Sequence, residues 1–140
     1  MLRRVDASAT VAGVDLFAGL PVADRSRAVR WYERFLGAPP AFFPNDTEAV
    51  FQVVEHGYLY VEVRPERAGQ GFVTVFVDDL RTWLRDVAAR GLAPVHEERY
   101  DGVRKVLFRD PDGNEVGVGG LDQDGPDGTV RTGGAHRTQP

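Results

Sequence analysis

Leu16-Phe17-Ala18-Gly19-Leu20-Pro21-Val22-Ala23-Asp24 is an apolar run that ends at an aspartate, and a helical pattern follows it. Phe72-Val73-Thr74-Val75-Phe76-Val77-Asp78-Asp79 repeats the arrangement, with Asp79 lying 55 residues after Asp24. In both runs the closing carboxylate is placed to accept from the free backbone N–H groups of a helix's first turn. Self-similarity on this scale marks a duplicated supersecondary unit.

Working outward, the spacing predicts a helix from Arg25 to about Leu36, with Ala28, Tyr32 and Phe35 on one face and Trp31 and Leu36 beside them. Gly37 ends it in the left-handed conformation. A second helix is predicted from Leu80 to Arg90, with Leu80, Trp83, Leu84, Val87 and Ala88 on one face and Gly91 closing it. Helix faces of this width bury core, so both tryptophans are read as packing residues. Three strand candidates follow each helix: 41–44, 48–55 and 58–64, then 94–99, 103–110 and 115–119. Pro44-Asn45-Asp46, His56-Gly57, Asp101-Gly102 and Asp110-Pro111-Asp112-Gly113 supply the turns. The expected fold is therefore α+β: two βαβββ modules forming a curved mixed sheet, helices on one face and a concave cleft on the other.

Side chains alternate along a strand, so parity assigns faces. Leu16, Ala18, Leu20 and Val22 suit the helix side, which turns Asp15, Phe17, Gly19 and Pro21 to the cleft. Likewise Leu59, Val61 and Val63 leave Tyr58, Tyr60, Glu62 and Arg64 facing the cleft. Val73, Val75 and Val77 leave Phe72, Thr74 and Phe76; Val116 and Val118 leave Glu115, Gly117 and Gly119. The remaining strands are apolar on both parities, and their orientation stays open. A lining of Phe17, Tyr58, Tyr60, Phe72 and Phe76 with Glu62 and Glu115 suits a planar or amphipathic small ligand. The rival reading is a filled interior or a subunit interface.

The 140 residues suit one domain: an extension over 1–13, the paired modules over 14–120 (about 14–66 and 70–120), and a flexible tail over 121–140 rich in Gly, Asp, Thr and Arg. The formal net charge of -4 with interspersed basic residues speaks against nucleic acid. No cysteine is present, which excludes thiolate chemistry and disulfides. No apolar run is long enough to span a bilayer, and no apolar stretch follows Met1-Leu2-Arg3-Arg4 as in a secretory signal, so a cytoplasmic location is expected.

Three stretches carry a resemblance: Leu20-Pro21-Val22-Ala23-Asp24, Trp31-Tyr32-Glu33-Arg34-Phe35-Leu36-Gly37 and Phe108-Arg109-Asp110-Pro111-Asp112-Gly113-Asn114. Together they resemble the vicinal oxygen chelate superfamily, which holds glyoxalases, extradiol dioxygenases, thiol transferases and metal-free antibiotic-binding proteins. The resemblance implies metal ligands at four cleft positions in metal-dependent members. Carried onto this chain, those positions are Phe17, Phe72, Gly117 and either Tyr60 or Glu62. A divalent ion needs several converging N or O donors, so no metal and no cofactor are expected. His56 in a turn, His96 beside Glu97 and Glu98, and His136 in the tail are read as solvated. The reading that follows is metal-independent binding of a small planar or amphipathic molecule, such as antibiotic or natural-product sequestration. The alternative is a glyoxalase-like lyase or isomerase, or a dioxygenase, with Glu62 or Glu115 as candidate catalytic bases. The resemblance also implies a homodimer.

Overall fold

The computed structural model describes residues 10–123. Residues 1–9 of the expected extension and residues 124–140 of the expected tail, with His136, lie outside the described residues.

The chain runs β1 (Leu16–Val22), α1 (Arg25–Leu36), β2 (Phe42–Asn45), β3 (Glu48–Val54), β4 (Gly57–Val63), a short 3-10 turn (Pro65–Arg67), β5 (Phe72–Phe76), α2 (Leu80–Ala89), β6 (His96–Tyr100), β7 (Val103–Arg109) and β8 (Glu115–Leu121). This is βαβββ twice, an α+β fold. The strands form two four-stranded mixed sheets, ordered β1-β4-β3-β2 and β5-β8-β7-β6. In each sheet the module's first strand pairs in parallel with its last, and the other pairs are antiparallel.

The predicted caps form. Asp24 Oδ1 accepts from Arg27 N at 3.1 Å, and Asp79 Oδ1 accepts from Thr82 N at 3.1 Å. Gly37 takes φ +75° and donates to the Glu33 carbonyl, closing α1. Strand β8 continues to Leu121, two residues past the expected Gly119. Gln123 beyond it reaches back to α2: its Nε2 donates to Asp79 Oδ1 at 2.9 Å and its Oε1 accepts from Arg81 N at 2.7 Å.

One core joins the two modules. Ala28, Tyr32 and Phe35 of α1, Leu80 and Val87 of α2, and Leu20, Val22, Leu59, Val61, Phe108, Val116 and Val118 of the sheets are all buried in it. The Phe35 ring stacks on Trp31 at 5.3 Å and meets Trp83 at 4.7 Å and Phe108 at 5.4 Å edge-on. Both tryptophans therefore pack as expected. Two expectations are corrected: Ala88 is exposed because it lies at the margin of the α2 stripe, and Leu16 is 67% exposed because β1 starts beyond the cover of α1.

The Asp110–Asn114 turn does more than reverse the chain. Asp110 Oδ1 accepts from Asp112 N and Asn114 N, both at 2.9 Å. Its Oδ2 accepts from Tyr32 Oη at 2.7 Å and Asn114 Nδ2 at 2.8 Å. Asn114 Nδ2 also donates to the Pro21 carbonyl at 2.8 Å, and its Oδ1 accepts from Gly71 N at 2.7 Å. Asp112 Oδ1 pairs with Arg27 at 2.8 Å. A turn of the second module thus holds β1 and α1 of the first. Burial, then the charge of Asp110, push the Tyr32 hydroxyl far above its usual range, so it remains a donor.

Candidate functional site

The faces of the two sheets turned away from the core carry the residues expected to line a cleft. On the first sheet, β1 and β4 are in register with Phe17 opposite Tyr58, Gly19 opposite Tyr60 and Pro21 opposite Glu62. Phe17 stacks on Tyr58 at 4.6 Å and 12°, and meets Tyr60 edge-on at 6.4 Å. Pairing of Phe42 with Val50, and of Val50 with Tyr60, puts Phe42 on the same face. Its ring lies 6.5 Å from Tyr58. Four rings, Phe17, Phe42, Tyr58 and Tyr60, therefore form one aromatic surface, with Phe17 46% and Phe42 45% exposed. The Tyr60 ring lies flat on Gly19, where an added Cβ would come within 2.5 Å of Tyr60 Cζ. A cavity of about 360 Å³ adjoins this surface, lined by Gly19, Pro21, Tyr60, Glu62, Arg64, Arg67, Gln70 and Gly71.

On the second sheet, Phe72 stands opposite Glu115, Thr74 opposite Gly117 and Phe76 opposite Gly119. Pairing of Gly117 with Leu107 and of Gly119 with Lys105 brings those β7 residues to this face. A cavity of about 370 Å³ lies here, lined by Thr74, Phe76, Tyr100, Asp101, Val103, Lys105 and Gly119.

The expected site residues thus fall into two groups. Phe17, Tyr58, Tyr60 and Glu62 share the first face; Phe72, Phe76 and Glu115 share the second. The ring contacts of Phe17 are with its own sheet, and Phe72 is 80% exposed. Glu62 Oε2 accepts from Arg64 Nε at 3.0 Å, so a basic partner already occupies the first candidate base. The hydrogen bond to Glu62, then its charge, push the Arg64 guanidinium above its usual range. The Glu115 side chain has no hydrogen bond or ion pair among the described residues. Sequence parity left β2, β3, β6 and β7 unoriented, and so missed Phe42, Tyr100, Leu107 and Lys105. Cross-strand register is the signal that places them.

Register also decides the open metal position. Gly19 and Thr74 each lie two residues after the equivalent Phe17 and Phe72, and their partners are Tyr60 and Gly117. By that equivalence the resemblance puts the four positions at Phe17, Tyr60, Phe72 and Gly117: two phenyl rings, a glycine and one phenol. This set does not fit a divalent cation, which needs converging N or O donors. His56 Nδ1 is 2.9 Å from Asp15 Oδ1, and His96 Nε2 is 3.5 Å from Glu98 Oε2. Among the described residues no three of His, Cys, Asp or Glu gather to hold a metal.

Paired βαβββ modules of this topology define a scaffold of the glyoxalase type. The profile of the Glyoxalase/Bleomycin resistance protein/Dioxygenase superfamily matches residues 13–118, and the chain belongs to this superfamily. It is similar to a glyoxalase/bleomycin resistance protein from Catenulispora acidiphila DSM 44928, with 44% identity over 78% of this chain and 99% of that one, and a TM-score of 0.75. An antibiotic binding protein from Streptomyces sp. CB03234 is 21% identical over 79% of this chain and 97% of that one, with a TM-score of 0.63. A lactoylglutathione lyase from Agrobacterium tumefaciens is 20% identical over 79% of this chain and 95% of that one, with a TM-score of 0.64. These last two share the fold. No curated protein matches the chain. No helix of the described residues is long and apolar enough to cross a membrane.

Proposed function

We propose that this protein binds a small, flat, largely apolar molecule without the help of a metal ion, in the manner of antibiotic or natural-product sequestration. The observation that carries the reading is the four-ring surface of Phe17, Phe42, Tyr58 and Tyr60 on the side of the sheet away from the core. Rings held by their own strands offer stacking area at little further ordering cost. Phe72 and Phe76 supply a second apolar wall, and Glu115 is free to accept from a donor on the ligand. Glu62, held by Arg64, shapes the polar end of the first cavity. An antibiotic binding protein and a lactoylglutathione lyase both use this fold, so it is the four-ring surface that supports the binding reading. So does the donor-poor set at the four metal positions, since the metal-dependent chemistries need it filled.

Elemental analysis of the purified protein tests the metal half, and a thermal-shift screen of planar aromatic metabolites tests the binding half. The expected result is no stoichiometric transition metal, an unchanged melting temperature in EDTA, and stabilisation by at least one aromatic compound. One equivalent of zinc, iron, manganese or nickel bound at the sheet faces overturns the proposal.

A further inference from the structure

The second sheet carries a feature that aromatic stacking does not explain. Lys105 projects from the middle of β7 onto the outer face, beside Gly119 and over the neighbouring strand. Its stem lies against Gly117, where an added Cβ would stand 3.1 Å from Lys105 Cε. Gly119 likewise sits under the Phe76 ring, 3.1 Å from where a Cβ would be. Glycine at both positions thus lets a long side chain and a ring lie low across the sheet, forming the floor of the 370 Å³ cavity. That volume is within the range of small-molecule sites, about 300–1,000 Å³.

Lys105 is half-buried yet makes no hydrogen bond or ion pair among the described residues. Its cross-strand neighbour Glu98 lies instead 3.5 Å from His96 Nε2 and makes no ion pair with the lysine. Glu97, of opposite parity, pairs with Arg104 on the other face. Asp101, the single carboxylate among the lining residues, is itself partnered. An ammonium that no carboxylate has engaged offers an anion a charge-assisted hydrogen bond. The walls beside it are aromatic: Phe76 is 47% and Tyr100 52% exposed.

We infer that this pocket takes an aromatic anion, a ring system bearing a carboxylate, sulfonate or phenolate, whose acidic group pairs with Lys105 while its rings lie against Phe76 and Tyr100. The inference rests on the binding reading above and adds the ligand's charge to it. Anilinonaphthalene sulfonate, its uncharged parent N-phenylnaphthylamine and the cationic dye acridine orange are the probes, titrated by fluorescence against wild type, Lys105→Met and Lys105→Arg. Circular dichroism and cooperative melting establish that each variant is folded. The sulfonate is expected to bind wild type most tightly of the three. Lys105→Met is expected to weaken it about tenfold, the scale of a lost charged hydrogen bond. The same variant leaves the uncharged parent unchanged, and Lys105→Arg retains most of the sulfonate affinity. If the aromatic probes bind but Lys105→Met leaves the sulfonate unaffected, or if wild type prefers the cation, the inference is overturned and the binding reading stands. A wild-type protein that binds none of the three overturns both.

Discussion

At the residue scale, Asn114 and Phe72 are opposites. Asn114 is wholly buried, and its amide serves Pro21, Gly71 and Asp110 at once. Replacing it with alanine strands the Gly71 N–H, worth about 1–3 kcal/mol when left unsatisfied. It also removes one bond each from Asp110 and from the Pro21 carbonyl, which keeps Gly69 N at 3.4 Å. Asn114→Ala is therefore expected to lose at least about 2 kcal/mol in urea unfolding, and Tyr32→Phe about 1–3 kcal/mol through the hydrogen bond taken from Asp110. Phe72 is a large ring with 80% of its surface in solvent. Phe72→Ala is expected to change stability by less than about 0.5 kcal/mol. On the proposed function it nonetheless weakens an aromatic ligand about tenfold, measured by calorimetry, through lost stacking and contact area. Unfolding of Phe72→Ala would make the ring a core residue and remove that wall. Nothing in the D-P-D-G-N string distinguishes these roles, because a turn signature speaks of backbone angles and not of what the carboxylate meets across the molecule.

At the element scale, the helices were legible and half the strands were not. An aspartate, a 3.6-residue apolar stripe and a glycine are local signals, and Asp24, Phe35 and Gly37 carry them without help from distant residues. Strands β1, β4, β5 and β8 also declared their faces, since Leu59 and Val61 alternate with Tyr58, Tyr60 and Glu62. Strand β2 offers Phe42 and Phe43 in succession, and β3 offers Ala49, Val50 and Phe51. Ala49 and Phe51 pack in the core, Val50 lies on the outer face beside Phe42 and Tyr60, and Phe42 and Phe43 both stay about half exposed, so only pairing decides. Strands β6 and β7 hide their orientation differently, by placing a partly buried ion cluster on the face opposite Lys105. Glu97 accepts from Arg104 Nε at 2.7 Å and from Arg99 Nε at 3.1 Å. Burial alone would raise the Glu97 carboxyl. The hydrogen bond and charge of Arg104, then Arg99, outweigh it and hold the group below its usual 4.5. A depressed carboxylate contributes stability above its unfolded pKa and loses it as pH falls through the folded value. The urea midpoint of the wild type is therefore expected to drop on acidification below about pH 4.5. Glu97→Gln should be less stable than wild type at pH 7 and show a smaller share of that drop. Parallel curves for the two proteins would detach the cluster from the acid response.

At the scale of the whole molecule, the outer faces of both sheets leave apolar groups in water, with Phe17, Phe42, Phe72, Phe76, Tyr100 and Leu121 each at least 45% exposed. Exposed apolar groups gathered on the sheet faces mark an interaction site. A second copy offers a matching pair of faces, so a homodimer is the expected assembly, and sedimentation at micromolar concentration checks it. A monomer there would leave these faces to the ligand alone. The Asp110–Asn114 turn has a consequence of another kind, in time. Tyr32 and Asp110 are separated by 78 residues, and Asn114 and Pro21 by 93. During synthesis the first module leaves the ribosome complete in its strands and helix, but its Tyr32 hydroxyl finds Asp110, and its Pro21 carbonyl the Asn114 amide, only when the turn before β8 emerges. Contacts this distant along the chain form late and slowly. The nascent first module therefore waits through the synthesis of most of the second without its closing partners, and its maturation is set by the turn that joins β7 to β8.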